Sequence, residues 1–150
     1  MLKKLLRLKR TPPTPKTKTP NRDHAAQALA SWLGALGRDV SVNTLRDAFP
    51  KNAPLTHAAV EQLAKKQHTG IAVVQNEKEL QEALHKHPVL VHWFDPELRR
   101  EQYTVVYEYQ QGMYYLLDAH WGKRHVPGDV FKRNWERIKD KELWALALSL

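Results

Sequence analysis

Cysteine is absent from all 150 residues. That excludes a disulfide framework, a thiolate metal site and a cysteine nucleophile, and it agrees with a reducing compartment. No apolar run approaches the roughly 20 residues that a membrane-spanning helix needs. Acids are missing from one region, because residues 1–22 carry Lys3, Lys4, Arg7, Lys9, Arg10, Lys16, Lys18 and Arg22 and no Asp or Glu. Removing those basic residues from the 24 Lys+Arg leaves as many bases as the 16 Asp+Glu. The basic character therefore belongs to a tail, and the remainder has no charge-based case for binding nucleic acid. The chain also lacks a P-loop, a G-x-G-x-x-G, an H-E-x-x-H and a G-x-S-x-G, so the common linear signatures of nucleotide, zinc-peptidase and serine-hydrolase chemistry are missing.

Two segments form the tail. Residues 1–10, MLKKLLRLKR, place Leu2, Leu5 and Leu6 on one helical face among basic residues. This reads either as a small foot on an anionic surface or as a frayed terminus. Residues 11–20, TPPTPKTKTP, hold four prolines and four threonines and read as an extended linker. The folded domain is expected over residues 21–150.

Asn21-Arg22-Asp23 offers caps for a helix from about His24 to Leu36, with Ala25, Ala28, Leu29, Trp32, Leu33 and Leu36 inward. Ser41 or Asn43 caps a short helix over Thr44–Ala48, which Pro50 stops. Thr56 caps a third, with Ala59, Leu63 and the stem of Lys66 inward. Ile71–Val74 reads as a strand, Asn76 caps a helix containing Leu80 and Leu84, and Val89–Phe94 is a second strand. Asp95–Glu101 is a charged excursion. Tyr103–Tyr109 and Met113–Asp118, joined by Gln110-Gln111-Gly112, form a β-hairpin. Gly122–Val126 pairs back, Pro127–Trp135 is a helix and Trp144–Leu150 is a closing strand. Helices come first and strands follow mostly without crossovers. That order predicts an α+β fold with N-terminal helices packed on an antiparallel sheet.

Eight histidines invite a metal reading, but none has zinc-ligand spacing. His57 and His68 read as surface positions, and His85 and His87 suit the end of a helix. Asp118, His120 and Trp121 stand where the hairpin leaves the sheet, a common place for functional side chains.

At these residues the chain resembles the C39 bacteriocin-processing peptidases, and especially the degenerate C39-like domains of haemolysin-type ABC exporters. Asp23-His24-Ala25, followed by a helix ending at Gly37, resembles the family's Asp-Cys-Gly opening. Val91-His92-Trp93, Tyr103-Thr104-Val105-Val106, Asp118-Ala119-His120-Trp121-Gly122 and Val130-Phe131-Lys132-Arg133-Asn134-Trp135 resemble later motifs in order and spacing. The resemblance implies a papain-like fold over about residues 18–150. It puts His24 at the nucleophile position, Tyr103 at the general-base position and Asp118 at the orienting acid. The oxyanion-hole glutamine falls near Lys18. With neither thiol nor imidazole in place, the implied domain is a non-catalytic one without a cofactor or metal, binding a peptide or unfolded protein client. Trp93, Tyr103, His120 and Trp121 are expected around its groove.

The same resemblance implies a link to bacterial peptide or protein export and to a membrane export machine. It also implies a cytoplasmic location, peripheral to the inner membrane. Two alternatives stay open. One is a metal- or His-dependent hydrolase using His24, Asp118 and His120. The other is an adaptor whose residues 1–22 bind an anionic membrane or nucleic acid.

Overall fold

Side-chain caps set the helix starts in the computed structural model, which describes residues 21–51, 54–68, 70–118, 122–136 and 144–148. Helix α1 is Arg22–Ala35, α2 is Val42–Ala48, α3 is His57–Gln67, α4 is Glu77–Leu84 and α5 is Gly128–Glu136. Asn21, Ser41, Thr56 and Asn76 each accept a hydrogen bond from the backbone N–H three residues on, at 2.8–3.1 Å. Each such cap satisfies a donor that the first helical turn leaves open. In α3 the buried stripe is Val60, Leu63 and Ala64; Lys66 is exposed, contrary to the periodicity reading.

The strands are β1 Ile71–Val74, β2 Val89–Asp95, β3 Arg100–Gln110, β4 Met113–Asp118, β5 Gly122–Pro127 and β6 Ala145–Leu148. They form one antiparallel sheet in the order β1-β6-β2-β3-β4-β5. The charged excursion is shorter than expected. Arg100 and Glu101 already pair with Asp95 and Phe94, so only residues 96–99 turn. Asp95 drives that turn, because its carboxylate accepts from the backbone N–H of Glu97 (3.0 Å) and Leu98 (3.3 Å). The β3–β4 connection is Gln111-Gly112, with φ of 52° and 77°. Positive φ at both central residues matches the twist of a two-residue hairpin.

Five helices thus pack on six strands among the described residues. They cover both faces. On one face α1, α2 and α3 bury Trp32, Leu33, Leu45 and Val60 against Leu90, Tyr103, Val105 and Leu146. On the other, α4 and α5 bury Leu80, Phe131 and Trp135 against Val91, Trp93, Tyr114 and Leu116. Alternate residues of β2 and β3 therefore enter different cores, and both faces of these strands are covered.

Candidate functional site

The N-terminal turn of α1 and the ends of β3 and β4 meet around a small cavity. It is lined by His24, Gln27, Ser31, Gln102, Tyr103 and Asp118, with Ala28 and Leu117, and it measures about 20 Å³. This is room for about one water molecule and no more. His24 stands three residues after the cap Asn21, in the first turn of α1. His24, Tyr103 and Asp118, far apart in sequence, thus line one space.

Their side chains have other partners. Asp118 belongs to a buried polar network on the α5 side of the sheet. Gln102 Nε2 donates to both Asp118 Oδ2 (3.0 Å) and Asp95 Oδ2 (2.8 Å). The Arg124 guanidinium donates to Asp95 and lies 3.4 Å from Glu97 and 3.7 Å from Asp118. It also rests 5.9 Å from the centre of the Trp93 ring. The network joins the ends of β2, β3, β4 and β5. Low exposure makes each of its charges depend on the others, because an unpaired buried charge is costly.

Tyr103 points into the opposite core. Its ring lies 4.8 Å from His92, 5.6 Å from Trp144 and 6.2 Å from His57. Burial, and secondarily Glu101, pushes its hydroxyl pKa further above the ordinary tyrosine value. The phenol stays protonated at neutral pH and cannot accept a proton as a general base.

Around it sits a histidine pair that the sequence placed elsewhere. His57 is half-buried, stacks on Trp144 at 4.4 Å and bonds His92 at 2.9 Å, so it is not a surface residue. His68 is likewise half-buried, at the C-cap of α3. Glu101 faces His92 Nε2 at 3.4 Å. A carboxylate only accepts, so His92 carries its proton on Nε2 and its Nδ1 accepts from His57 Nε2–H. Burial first, and His57 second, lower the His92 pKa to about 3. His92 thus links Glu101 to His57. Its two nitrogens point in opposite directions, toward separate partners. Among the described residues no three His, Asp or Glu side chains could hold a metal ion.

With this geometry in view, the sequence comparison is decisive. The model of the peptidase C39 family matches residues 16–139. The chain belongs to the peptidase C39 family. No curated protein matches it in sequence. Among solved structures it is similar to the peptidase domain of Streptococcus ComA, a bifunctional ABC transporter of a quorum-sensing pathway. The two are 22% identical with a TM-score of 0.64, over 85% of this chain and 90% of that one. It is similar to a double-glycine-motif protease from an AMS/PCAT transporter, solved with its leader peptide. Here identity is 18% and the TM-score 0.59, over 85% and 84% of the two chains. A candidate C39-like peptidase from Bacillus anthracis gives 16% identity and a TM-score of 0.67, over 85% and 88%. These likenesses establish the papain-like fold.

One of the four expected groove residues in this C39 domain takes another place. Trp93 is fully buried, stacks on Phe131 at 4.9 Å and donates from Nε1 to Thr104 at 3.0 Å. It lies in the core on the α5 side and cannot contact a ligand in the cleft beside α1. Tyr103 lines the cavity but is only 7% exposed. His120 and Trp121 lie outside the described residues, as does the whole tail, residues 1–20. The aromatic surface that is accessible is different. Met113, Tyr115 and Leu117 occupy the side of β4 opposite its buried residues and are half-exposed. Tyr115 has Tyr107 at 6.2 Å and His125 at 5.9 Å as ring neighbours. The outward alternation of β4 was visible in its sequence, but nothing there showed that α1 reaches Leu117 while Met113 and Tyr115 lie outside both cores.

Proposed function

We propose that this C39 domain binds a peptide or unfolded protein client without cleaving it, in the service of peptide or protein export. The observation that carries the reading is the chemistry of the groups that line the small cavity, His24, Tyr103 and Asp118. No thiol is available and Tyr103 is held protonated, so the lining offers neither the nucleophile nor the base of thiolate hydrolysis. Binding without hydrolysis then falls to the neighbouring surface. The half-exposed strip Met113, Tyr115 and Leu117 starts at the cavity, through Leu117, and offers an apolar and aromatic floor. One structural neighbour is a double-glycine-motif protease in complex with a leader peptide, and a peptide of that class is the natural first client. A cytoplasmic setting beside a membrane export machine agrees with the ABC-transporter neighbours.

The test is titration of a fluorescent double-glycine leader peptide, with mass spectrometry of the peptide afterwards. Saturable binding of intact peptide is expected. Tyr115→Ala combined with Leu117→Ser should weaken it by about 10-fold or more, the effect of losing one central contact. Cleaved peptide, or equal affinity in the folded double variant, would defeat the proposal.

A further inference from the structure

We propose that the outer edge of β1 takes up an extended peptide as a further strand, antiparallel to β1, with alternate side chains of that peptide in the groove between β1 and α4. The site lies toward the other edge of the sheet from the β4 strip and does not depend on the reading above. It begins with a contrast between the two outer strands. In the order β1-β6-β2-β3-β4-β5 they are β1 and β5. β5 reads GKRHVP, and its charges and its proline are the devices that keep another strand from pairing with an edge. β1 reads IAVV, with neither charge nor proline.

The backbone of β1 is open in the same way. Its ladder to β6 runs from Ile71 opposite Leu148 to Val74 opposite Ala145. Alternate residues of such a ladder turn both backbone groups toward the same neighbour, so two of these four turn theirs away from β6. Among the described residues no backbone group bonds them from that side. The open edge stops at Gln75, whose N–H donates to Glu79 Oε1 at 3.3 Å.

A groove of about 570 Å³ runs beside this edge, and Ala72, Val74, Ala147, Glu82, Ala83 and Lys86 are among its lining residues. The room exists because three of these positions carry only a methyl group. Its size suits a few side chains. Charge decides what enters and in which direction. Helix α4 leaves β1 and turns back along it. Glu79 holds Gln75, next to Val74, while the His87 ring bonds the backbone of Leu148, the partner of Ile71. Glu79 therefore stands at the Val74 end, Glu82 midway and Lys86 at the Ile71 end. A strand antiparallel to β1 begins at the Val74 end. It brings a basic residue or its α-ammonium to the acids, and an acidic residue or its α-carboxylate to Lys86. A parallel strand would set its own termini against like charges. From Glu79 to Lys86 is about 10 Å along the helix, the span of about three residues of strand.

The probe is the peptide Arg-Val-Thr-Val-Thr-Glu, with Glu-Val-Thr-Val-Thr-Arg as its charge-reversed counterpart, each titrated calorimetrically into the full chain. Saturable binding of the first is expected below about 1 mM. The second should bind about 5-fold or more weakly, and the gap should shrink as salt is raised. Hydrogen exchange should slow at β1 amides on adding the first peptide and stay unchanged at β5. Two further probes carry N-methyl groups on one or the other set of alternate amides, and they require no change in the protein. One should lose binding and the other keep it, because only one set faces the edge. Ala83→Leu keeps a good helix former and narrows the groove, so affinity should fall by about 10-fold. No saturation, equal affinity for the two charge orders or equal affinity for the two methylated probes overturns the proposal. So does β1 protection that rises with protein concentration in the absence of peptide, because a second copy of the chain is then the occupant.

Discussion

Replacing Arg124 by Met removes the cation from the centre of the buried network while keeping an unbranched stem beside Trp93. Asp95 is fully buried and Asp118 is 7% exposed, and both carboxylates share the Gln102 amide. Without Arg124, two acids held by one neutral donor face each other across it. Breaking a buried ion pair from one side costs about 3–5 kcal/mol, mostly the penalty of the charge left behind. A lost cation–π contact contributes about 1 kcal/mol within that figure. For a domain of this size the melting temperature should fall on the order of 10 °C. Urea denaturation of Arg124→Met, Asp95→Asn and the double variant would measure the coupling. Asp95→Asn removes the stranded charge, so the double variant should be more stable than Arg124→Met alone. A loss under about 1 kcal/mol in Arg124→Met, or no recovery in the double variant, would refute the buried-charge argument.

His92 makes stability depend on pH. Its folded pKa is lowered to about 3 while the unfolded value is about 6.5, so the unfolded chain alone binds the proton between them. Stability from this residue is complete above about pH 6.5 and declines as pH falls toward 3. Between pH 7 and 5 the loss should be about 2 kcal/mol, and urea midpoints of His92→Gln should show a flatter slope over that interval. Trp93→Ala should cost about 3–5 kcal/mol in the same assay, as a core truncation does; a mild effect would mean that the ring is not packed as described. Placing a thiol and an imidazole at the two positions that the resemblance marks, with His24→Cys and Tyr103→His, should give no thioester with a double-glycine leader peptide, because position 103 points into the core beside His92 and Trp144 and Asp118 stays engaged by Gln102. An acyl adduct in the intact-mass spectrum would contradict that.

Much of the fold was legible because local chemistry announces itself. Asn21, Ser41, Thr56 and Asn76 are capping residues placed before apolar periodicity, and each caps a helix. The hairpin followed from two β-rich runs around Gln111-Gly112, where the turn requires positive φ. Side choice was harder. Val91-His92-Trp93 is buried on both faces, so no polar alternation marks which residue meets α3 and which meets α5. His92 and Trp93 therefore went to opposite cores, and only the structure separated them. Arg124 was hidden for a related reason. A charged residue near a chain turn reads as solvated, and its inward direction follows only from sharing parity with Val126 and facing Leu116 across β5 and β4. His57 looked exposed because the first turn of a helix usually is; its packing against Trp144 joins residues separated by most of the chain.

Asp118 shows why one residue that matches a catalytic pattern is a poor measure of catalysis. The resemblance puts it at the position of an orienting acid. In the fold it is also an acceptor for Gln102 and a neighbour of Arg124, within a network that fastens four strand ends together. Those contacts give the carboxylate a structural reason to stay whether or not it orients an imidazole. The pairing of strands makes the point sharper, because Tyr103 turns into the core beneath α1 while the groups that hold Asp118 lie on the α5 side of the sheet. A carboxylate fixed by an amide and a guanidinium has fewer lone pairs for a catalytic partner. What the position holds is therefore an acid that the sheet needs, whether or not the domain is catalytic.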